Sequence, residues 1–147
     1  MVLPAAAWTP ATGDHPFTAG APQDGACPEA AYGEEGGFFE VETDRCAWAV
    51  FTQPLAHDVA AGDTVEWVSW HLDLWAQVET TARVVLQVGD EVLWDQSYAV
   101  PGPDDIDAVT LTAAADLPAG MPAWWHIANH GYNSWRLGDV EATPPSP

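Results

Sequence analysis

The chain has 147 residues, of which 22 are acidic and only three are basic, and its formal net charge is −19. Phosphate binding depends on clustered cations, so the composition excludes nucleic acid as a partner. The same repulsion excludes an anionic membrane surface. The chain has no run of about 18 apolar residues, so we expect no membrane insertion. A chain of this length is expected to fold around one core, and its acidity is also explained by solubility alone.

Cys27 and Cys46 are the only cysteines. They do not form the C-x-x-C spacing of a zinc knuckle or a redox motif, so we expect a structural disulfide between them. A disulfide implies an oxidising compartment, and the predicted location is therefore extracellular or periplasmic. Two buried free thiols are the alternative.

The two ends of the chain differ in composition from its centre. Residues 1–36 are rich in Ala, Pro, Gly, Thr and Asp with little apolar periodicity, which predicts an irregular leader or linker. Residues 143–147 form a Pro-rich tail, which cannot continue a strand because proline lacks a backbone donor. The predicted domain therefore covers residues 37–142, and the tail indicates a piece of a larger multidomain protein.

Between these ends, turn residues separate short apolar or alternating runs. The runs predict strands over residues 37–42, 47–51, 64–75, 83–88, 91–100, 107–112, 122–129 and 134–141. Gly89 and Asp90 predict a tight hairpin, because glycine takes the positive φ that such a turn requires. The pattern predicts an all-β fold, a two-sheet antiparallel β-sandwich, with a barrel as the alternative.

The run over residues 64–75 alternates most clearly, and an alternating strand has two distinct faces. The more aliphatic face is expected to form core, and it holds Val68, Trp70, Leu72 and Leu74. The opposite face, expected to be accessible, holds Trp67, Ser69, His71, Asp73 and Trp75.

Four segments of the second half carry a resemblance to known sandwiches. They are a Gly-Asp-Thr turn at 62–64, a Val-Gly-Asp-Glu-Val-Leu-Trp hairpin at 88–94, a Leu-Pro-Ala-Gly turn at 117–120 and a closing Ser-Trp-Arg-Leu-Gly-Asp-Val-Glu strand at 134–141. In this layout, residues 37–141 resemble the jelly-roll carbohydrate-binding modules and the galactose-binding-like superfamily. The resemblance implies a fold that binds sugars or other surface ligands and often holds a structural Ca2+. It assigns no ligand residue.

Residues 62–67 are also similar to a strand opening of the cupredoxins, the blue-copper sandwiches. Those proteins need a late cysteine with nearby His and Met ligands. Here both cysteines are early and Met121 precedes His126. We therefore do not expect a blue-copper site.

Nine tryptophans are a large number for this length. Most are expected to form core, in particular Trp48, Trp70, Trp125 and Trp135. Trp67, Trp75 and Trp124 are candidates for an accessible sheet face, where an aromatic ring stacks on the apolar face of a sugar. The predicted ligand-binding residues are Trp67, Ser69, His71, Asp73, Trp75 and Trp124.

The histidines suggest a metal site. His71 and His126 lie in predicted strands and His130 lies in the next loop, so the three could bind Zn2+ or Cu2+ if the strands are neighbours. A histidine that makes one hydrogen bond inside an aromatic layer is the simpler interpretation.

The many carboxylates could bind Ca2+. The two candidate groups are Asp104, Asp105 and Asp107, and Asp139 with Glu141 opposite Glu40 or Glu42. A solvated acidic surface is the simpler interpretation. No nucleophile elbow, phosphate-binding loop or dinucleotide motif is present, so we expect no enzyme. A small hydrolase that uses two carboxylates or a metal has no obligatory motif and stays open.

Together these patterns predict a secreted, non-catalytic binding or adhesion module whose partner is a polysaccharide or a cell-surface glycan. A structural domain of a surface or fibre protein is one alternative, and a His-based metal-binding protein is the other. Exposure of the tryptophans and convergence of the histidines distinguish them.

Overall fold

The computed structural model describes residues 1–18, 27–129 and 131–145 of the chain. Strands dominate these residues, and the helical segments among them are single 3-10 turns. The predicted all-β class is therefore confirmed. None of the helical segments in the described part of the chain has the length and hydropathy of a membrane span.

The strands are numbered in chain order. Their bounds are β1 (Thr9–Pro10), β2 (Tyr32–Glu35), β3 (Phe38–Glu42), β4 (Trp48–Pro54), β5 (Thr64–His71), β6 (Thr80–Val88), β7 (Glu91–Val100), β8 (Asp105–Thr112), β9 (Pro122–Ala128), β10 (Ser134–Leu137) and β11 (Glu141–Thr143).

Two antiparallel sheets pack face to face around the core. Sheet 1 has the order β1-β4-β9-β6-β7, and sheet 2 has the order β11-β5-β10-β3-β2 with β8 also paired to β5. Aromatic rings meet between the sheets: Trp67 lies 6.2 Å from Trp94, and Phe39 lies 4.8 Å from Phe51, between ring centroids. The predicted two-sheet sandwich is confirmed.

The hairpin predicted at Gly89 is also confirmed. β6 and β7 pair antiparallel over their full lengths, and Gly89 joins them with a φ of +55°. This positive φ is the conformation that favours glycine at a tight turn. Every other predicted strand has a counterpart in the structure, with bounds that differ by a few residues.

The faces of β5 are the reverse of those predicted. Three residues expected to be accessible are buried in the core: Trp67, Ser69 and His71. Val68 and Leu72, expected in the core, are 37% and 56% exposed. The strand ends at His71, so Leu72 and Leu74 belong to the following loop. Without these two leucines, both faces of β5 carry bulky apolar residues. A count of apolar residues on each face therefore does not predict which face is buried.

Backbone carbonyls bond the two polar residues that β5 turns inward. Ser69 Oγ donates to the carbonyl of Arg136 at 2.9 Å, and His71 Nδ1 hydrogen-bonds the carbonyl of Leu72 at 2.9 Å. His71 Nε2 is buried without a hydrogen-bond partner among the described residues, so Ser69 is satisfied and His71 only in part.

Much of the predicted leader, residues 1–36, belongs to the sandwich. Leu3 and Trp8 are buried in the core, β1 pairs with β4, and β2 pairs with β3. The expected boundary at residue 37 is therefore wrong. The N-terminal side chains are buried through a 3-10 turn at Ala5–Ala7 and an isolated bridge from Leu3 to Val140, which leave no regular apolar period in the sequence. Residues 19–26 lie outside the described part of the chain.

The predicted closing strand over residues 134–141 is divided into β10 and β11. Both pair with β5, but β11 resumes one residue out of step, as shown by the pairs Leu137↔Ser69 and Glu141↔Glu66. Between the two strands, Val140 N donates to the carbonyl of Leu3 at 2.9 Å. The N-terminal segment thus takes over the pairing of Val140 and interrupts the strand.

The predicted disulfide between Cys27 and Cys46 is confirmed. It links the residues before β2 to the loop between β3 and β4. The start of β2 is therefore held covalently against the sandwich.

Candidate ligand-binding site

Two aromatic rings stand exposed where the loop after β5 meets the loop before β10. Trp75 is 50% exposed and Tyr132 is 58% exposed, and their ring centroids lie 5.4 Å apart at an angle of 41°. We call these two residues the aromatic pair. Asp73, in the same loop as Trp75, is also exposed. Of the predicted ligand-binding residues, the structure therefore leaves Asp73 and Trp75 at this surface and adds Tyr132.

Backbone hydrogen bonds hold the two loops of the aromatic pair together. Tyr132 N donates to the carbonyl of Trp75 at 3.1 Å, and Trp75 N donates to the side-chain oxygen of Asn133 at 2.6 Å. Both backbone polar groups of Trp75 are thus bonded to the opposite loop. The two rings start from backbone positions that are fixed relative to each other.

Behind the aromatic pair lies a buried polar cluster, which we call the amide network: Thr43, Asn129 and Asn133. All three are buried. Asn133 Nδ2 donates to Asn129 Oδ1 at 3.1 Å, Asn129 Nδ2 donates to Thr43 Oγ1, and Thr43 Oγ1 donates to the carbonyl of Asn133 at 2.9 Å. A buried network in which each member has a partner fixes one arrangement, because any other leaves polar groups unpaired.

Gly131 brings the two loops this close. A Cβ at this position would lie 2.2 Å from the carbonyl oxygen of Trp75 and 2.6 Å from Asn133 Nδ2. Only glycine fits such an approach of one backbone to another.

Trp124, the remaining predicted ligand-binding tryptophan, lies on the outer face of sheet 1. It is partly exposed, between Thr52 on β4 and Gln87 on β6. It precedes Asn129 by five residues of extended chain, or about 16 Å at about 3.3 Å per residue. The structure therefore does not bring Trp124 to the aromatic pair.

The four tryptophans predicted to form core fall into two groups. Trp125 and Trp135 are buried, as predicted. Trp48 and Trp70 are partly exposed and lie on the outer faces of sheets 1 and 2. The guanidinium of Arg136 covers Trp70, 4.0 Å from its ring centre.

The histidines predicted to bind metal do not converge. His71 lies between the sheets, with its ring 4.7 Å from that of Trp135. His126 lies on the outer face of sheet 1, with its ring 4.3 Å from that of Trp48. Sheet 1 separates the two imidazoles, so they cannot bind one ion. His130 lies outside the described residues.

His126 is buried although it lies on an outer face. Its Nδ1 hydrogen-bonds the carbonyl of Ala49 at 2.9 Å. Burial lowers the pKa of His126 from 6.5 to about 4. The imidazole is therefore neutral at neutral pH.

The carboxylates considered for Ca2+ take part in contacts within the fold. Asp107 accepts a hydrogen bond from the hydroxyl of Tyr98, and burial together with this bond raises the pKa of Tyr98. Asp139 Oδ1 accepts from Ala5 N at 2.7 Å. Glu141 faces β5, and the expected position opposite Glu40 or Glu42 is wrong because β10 pairs with β3 there. Among residues 1–18, 27–129 and 131–145, no three His, Cys, Asp or Glu side chains converge on a possible metal position. Calcium binding stays a prediction.

All three arginines of the chain are engaged with carboxylates. Their partners are Glu42 and Asp44 for Arg45, Asp95 for Arg83 and Glu40 for Arg136. The Arg83 pair is two-pronged, at 2.7 and 2.6 Å, and its hydrogen bonds lower the pKa of Asp95. The sequence holds no lysine, so these three arginines are all of its Lys and Arg residues. Each of them lies beside a carboxylate.

No family model matches this sequence, and no curated protein sequence matches it. Among solved structures, the fold is similar to a family 4 carbohydrate-binding module, with a TM-score of 0.43, 15% identity and coverage of 78% of this chain and 75% of that one. It is similar to a family 61 carbohydrate-binding module in complex with β-1,4-galactotriose, with a TM-score of 0.45, 11% identity and coverage of 79% and 77%. It is also similar to an apo-form cyclase from Fischerella, with a TM-score of 0.45, 15% identity and coverage of 75% and 63%. The likeness is one of strand layout, and it says nothing of the ligand.

Proposed function

We propose that the protein is a secreted, non-catalytic glycan-binding module whose ligand contacts the aromatic pair, Trp75 and Tyr132. The observation that carries the proposal is the combination of two exposed rings with a buried amide network behind them. Rings that are fixed in advance lose little conformational freedom when a ligand stacks on them, which increases affinity.

The chemistry around the pair suits a neutral sugar. A sugar ring stacks its C–H face on an aromatic ring, while its hydroxyls need polar partners at the edge. Asp73 supplies an exposed carboxylate in the same loop, and Asp73 Oδ1 already accepts a hydrogen bond from Asp104 N at 3.0 Å, which fixes its direction. A second carboxylate oxygen is left to accept from a hydroxyl.

Charge narrows the ligand class further. A chain of net charge −19 repels polyanions, and its three arginines are already paired with carboxylates. A uronic-acid or sulfated glycan would find no unpaired arginine or lysine here. Neutral polysaccharides and neutral cell-surface glycans are therefore the expected ligands.

The proposed location is extracellular or periplasmic. The disulfide between Cys27 and Cys46 supports it, because such bonds persist in oxidising compartments.

The test is electrophoresis of the full chain through native gels that contain xylan, galactan, mannan or hydroxyethyl cellulose, with polygalacturonate as the anionic comparison. At least one neutral polymer should retard the protein, and polygalacturonate should not. Trp75→Ala and Tyr132→Ala should each weaken retardation at least about fivefold, which corresponds to about 1 kcal/mol. Val78→Ala, an exposed apolar residue of the same loop, is the matched control and should bind like the native chain.

Melting curves of each variant separate lost binding from lost folding. The proposal is wrong if no neutral polymer retards the native protein, or if both aromatic variants bind as the native protein does. In the first case the alternative of a structural domain of a surface protein gains support, because the tryptophans then serve packing alone.

A further inference from the structure

The outer face of sheet 1 carries a second group of aromatic rings, and a side chain from the N-terminal segment covers it. Trp48 on β4 and His126 on β9 lie with ring centroids 4.3 Å apart. Phe17 also stacks on His126, at 4.4 Å between ring centroids and with an angle of 24° between the rings. We call Trp48 and His126 the aromatic floor and Phe17 its cap.

The segment that carries the cap has few other attachments to the sandwich. Ala11 N donates to the carbonyl of Val50 at 2.9 Å, where the segment leaves β1. Beyond this point, the backbone hydrogen bonds within the described residues 12–18 are local: Phe17 N donates to His15 Nδ1 at 3.2 Å, and Thr18 N donates to the carbonyl of His15 at 3.3 Å. Within residues 12–18, the ring of Phe17 stacks on the sheet at His126, and these residues form no strand pair with it.

The surface under the cap has polar groups next to its rings. Trp48 Nε1 is buried and has no hydrogen-bond partner among the described residues. On the same face, the ion pair of Arg83 and Asp95 lies on the neighbouring strands β6 and β7 and is about half exposed. An aromatic floor whose indole N–H bonds none of the described residues, with a charged pair beside it, matches the composition of a saccharide-binding surface.

We infer that the outer face of sheet 1 is a second binding surface for neutral glycans, with Trp48 and His126 as its floor, and that Phe17 occupies this surface when no glycan is bound. The ligand class rests on the proposed function. The glycan and Phe17 compete for the ring of His126, so only molecules with an open cap bind, and the apparent affinity falls in proportion to that open fraction.

The experiment removes the cap in a chain whose aromatic pair is already disabled. Phe17→Ala is introduced into the Trp75→Ala/Tyr132→Ala protein, and retardation is measured with xylan, galactan, mannan and hydroxyethyl cellulose. We expect at least a tenfold gain in affinity for one polymer over the same background with Phe17 present, or about 1.4 kcal/mol. Further replacement by Trp48→Ala should abolish the gain. Thr18→Ala, the exposed neighbour of Phe17, is the matched control and should give none.

The ring protons of His126 in NMR spectra report whether the cap has left, because the ring current of Phe17 acts on them at 4.4 Å. Shifted His126 signals in a folded protein without any gain in binding would overturn the inference. Should Phe17→Ala fail to fold, the Phe17→Leu variant is used, because leucine keeps an apolar side chain without the flat ring. It should give a smaller gain in affinity, and no gain from Phe17→Leu also counts against the inference.

If the native chain binds no polymer but Phe17→Ala binds one, the role of the aromatic pair is wrong and the second surface stands. If the native chain binds through the aromatic pair and Phe17→Ala adds nothing, only the second surface is wrong.

Discussion

Asn133→Ala should destabilise the fold by about 3 kcal/mol. The substitution removes the acceptor of Trp75 N, bonded at 2.6 Å, and the donor to Asn129 Oδ1, bonded at 3.1 Å. A polar group left unsatisfied in a buried site costs about 1–3 kcal/mol. Two such groups are created, which together cost about 2–6 kcal/mol, and the value is placed in the lower half of this range because the bond to Trp75 N is only partly buried. For a chain of this size, the melting temperature should fall by about 6–12 °C.

Urea unfolding, followed by circular dichroism, measures this free energy. Tyr132→Ala is the matched control, because it removes a larger side chain from the next position but leaves the amide network in place. It should change the free energy of unfolding by less than about 1 kcal/mol. A loss below about 1 kcal/mol for Asn133→Ala would refute the reasoning, since it would mean that the network does not hold the loops.

Two further predictions concern the disulfide and His126. Replacing Cys27 and Cys46 by serine should lower the free energy of unfolding by about 3 kcal/mol, because the bond closes a loop with a sequence separation of 19; an unchanged urea midpoint would contradict this. Burial lowers the pKa of His126 from 6.5 to about 4. Above pH 6.5 the imidazole is neutral in both the folded and the unfolded state, and this contribution to stability is fully present. Below pH 6.5 the unfolded state binds a proton that the folded state does not, so up to about 3 kcal/mol of the free energy of unfolding is lost as the pH falls through 4. The stability difference between the native chain and His126→Gln, measured in urea at pH 7 and pH 4, should shrink at the lower pH, and a constant difference would show that His126 titrates normally.

The sequence predicts the fold class and most strands because their signals are local. The hairpin at Gly89 needs only two alternating runs and a residue that takes a positive φ. The N-terminal segment carries no such signal, because Leu3 and Trp8 are buried by contacts with residues far along the chain. The bridge from Leu3 to Val140 also explains why the division of the closing strand could not be predicted.

The site is predicted only in part. Trp75 was expected to be accessible as part of the β5 face, and it is exposed, but it lies in the loop beyond the strand. The same alternation placed Trp67 on the accessible face of β5. Trp67 is buried, because the face of β5 that carries it packs against the core. Tyr132 was missed as a ligand contact. The His-Gly-Tyr-Asn run holds a signal for it, since an aromatic residue inside a Gly/Asn loop is seldom buried.

The tryptophan content alone does not locate a binding surface, because this chain covers several of its outer rings with its own side chains. Arg136 lies 4.0 Å above Trp70, and Glu40 holds that guanidinium in place. Phe17 covers His126 beside Trp48. A ring covered in this way gains packing or cation–π stabilisation without any ligand. The aromatic pair differs from both, since buried polar groups position its loops and about half of the surface of each residue stays exposed. Buried polar support combined with exposed rings is therefore the feature for which we propose this pair as the glycan contact.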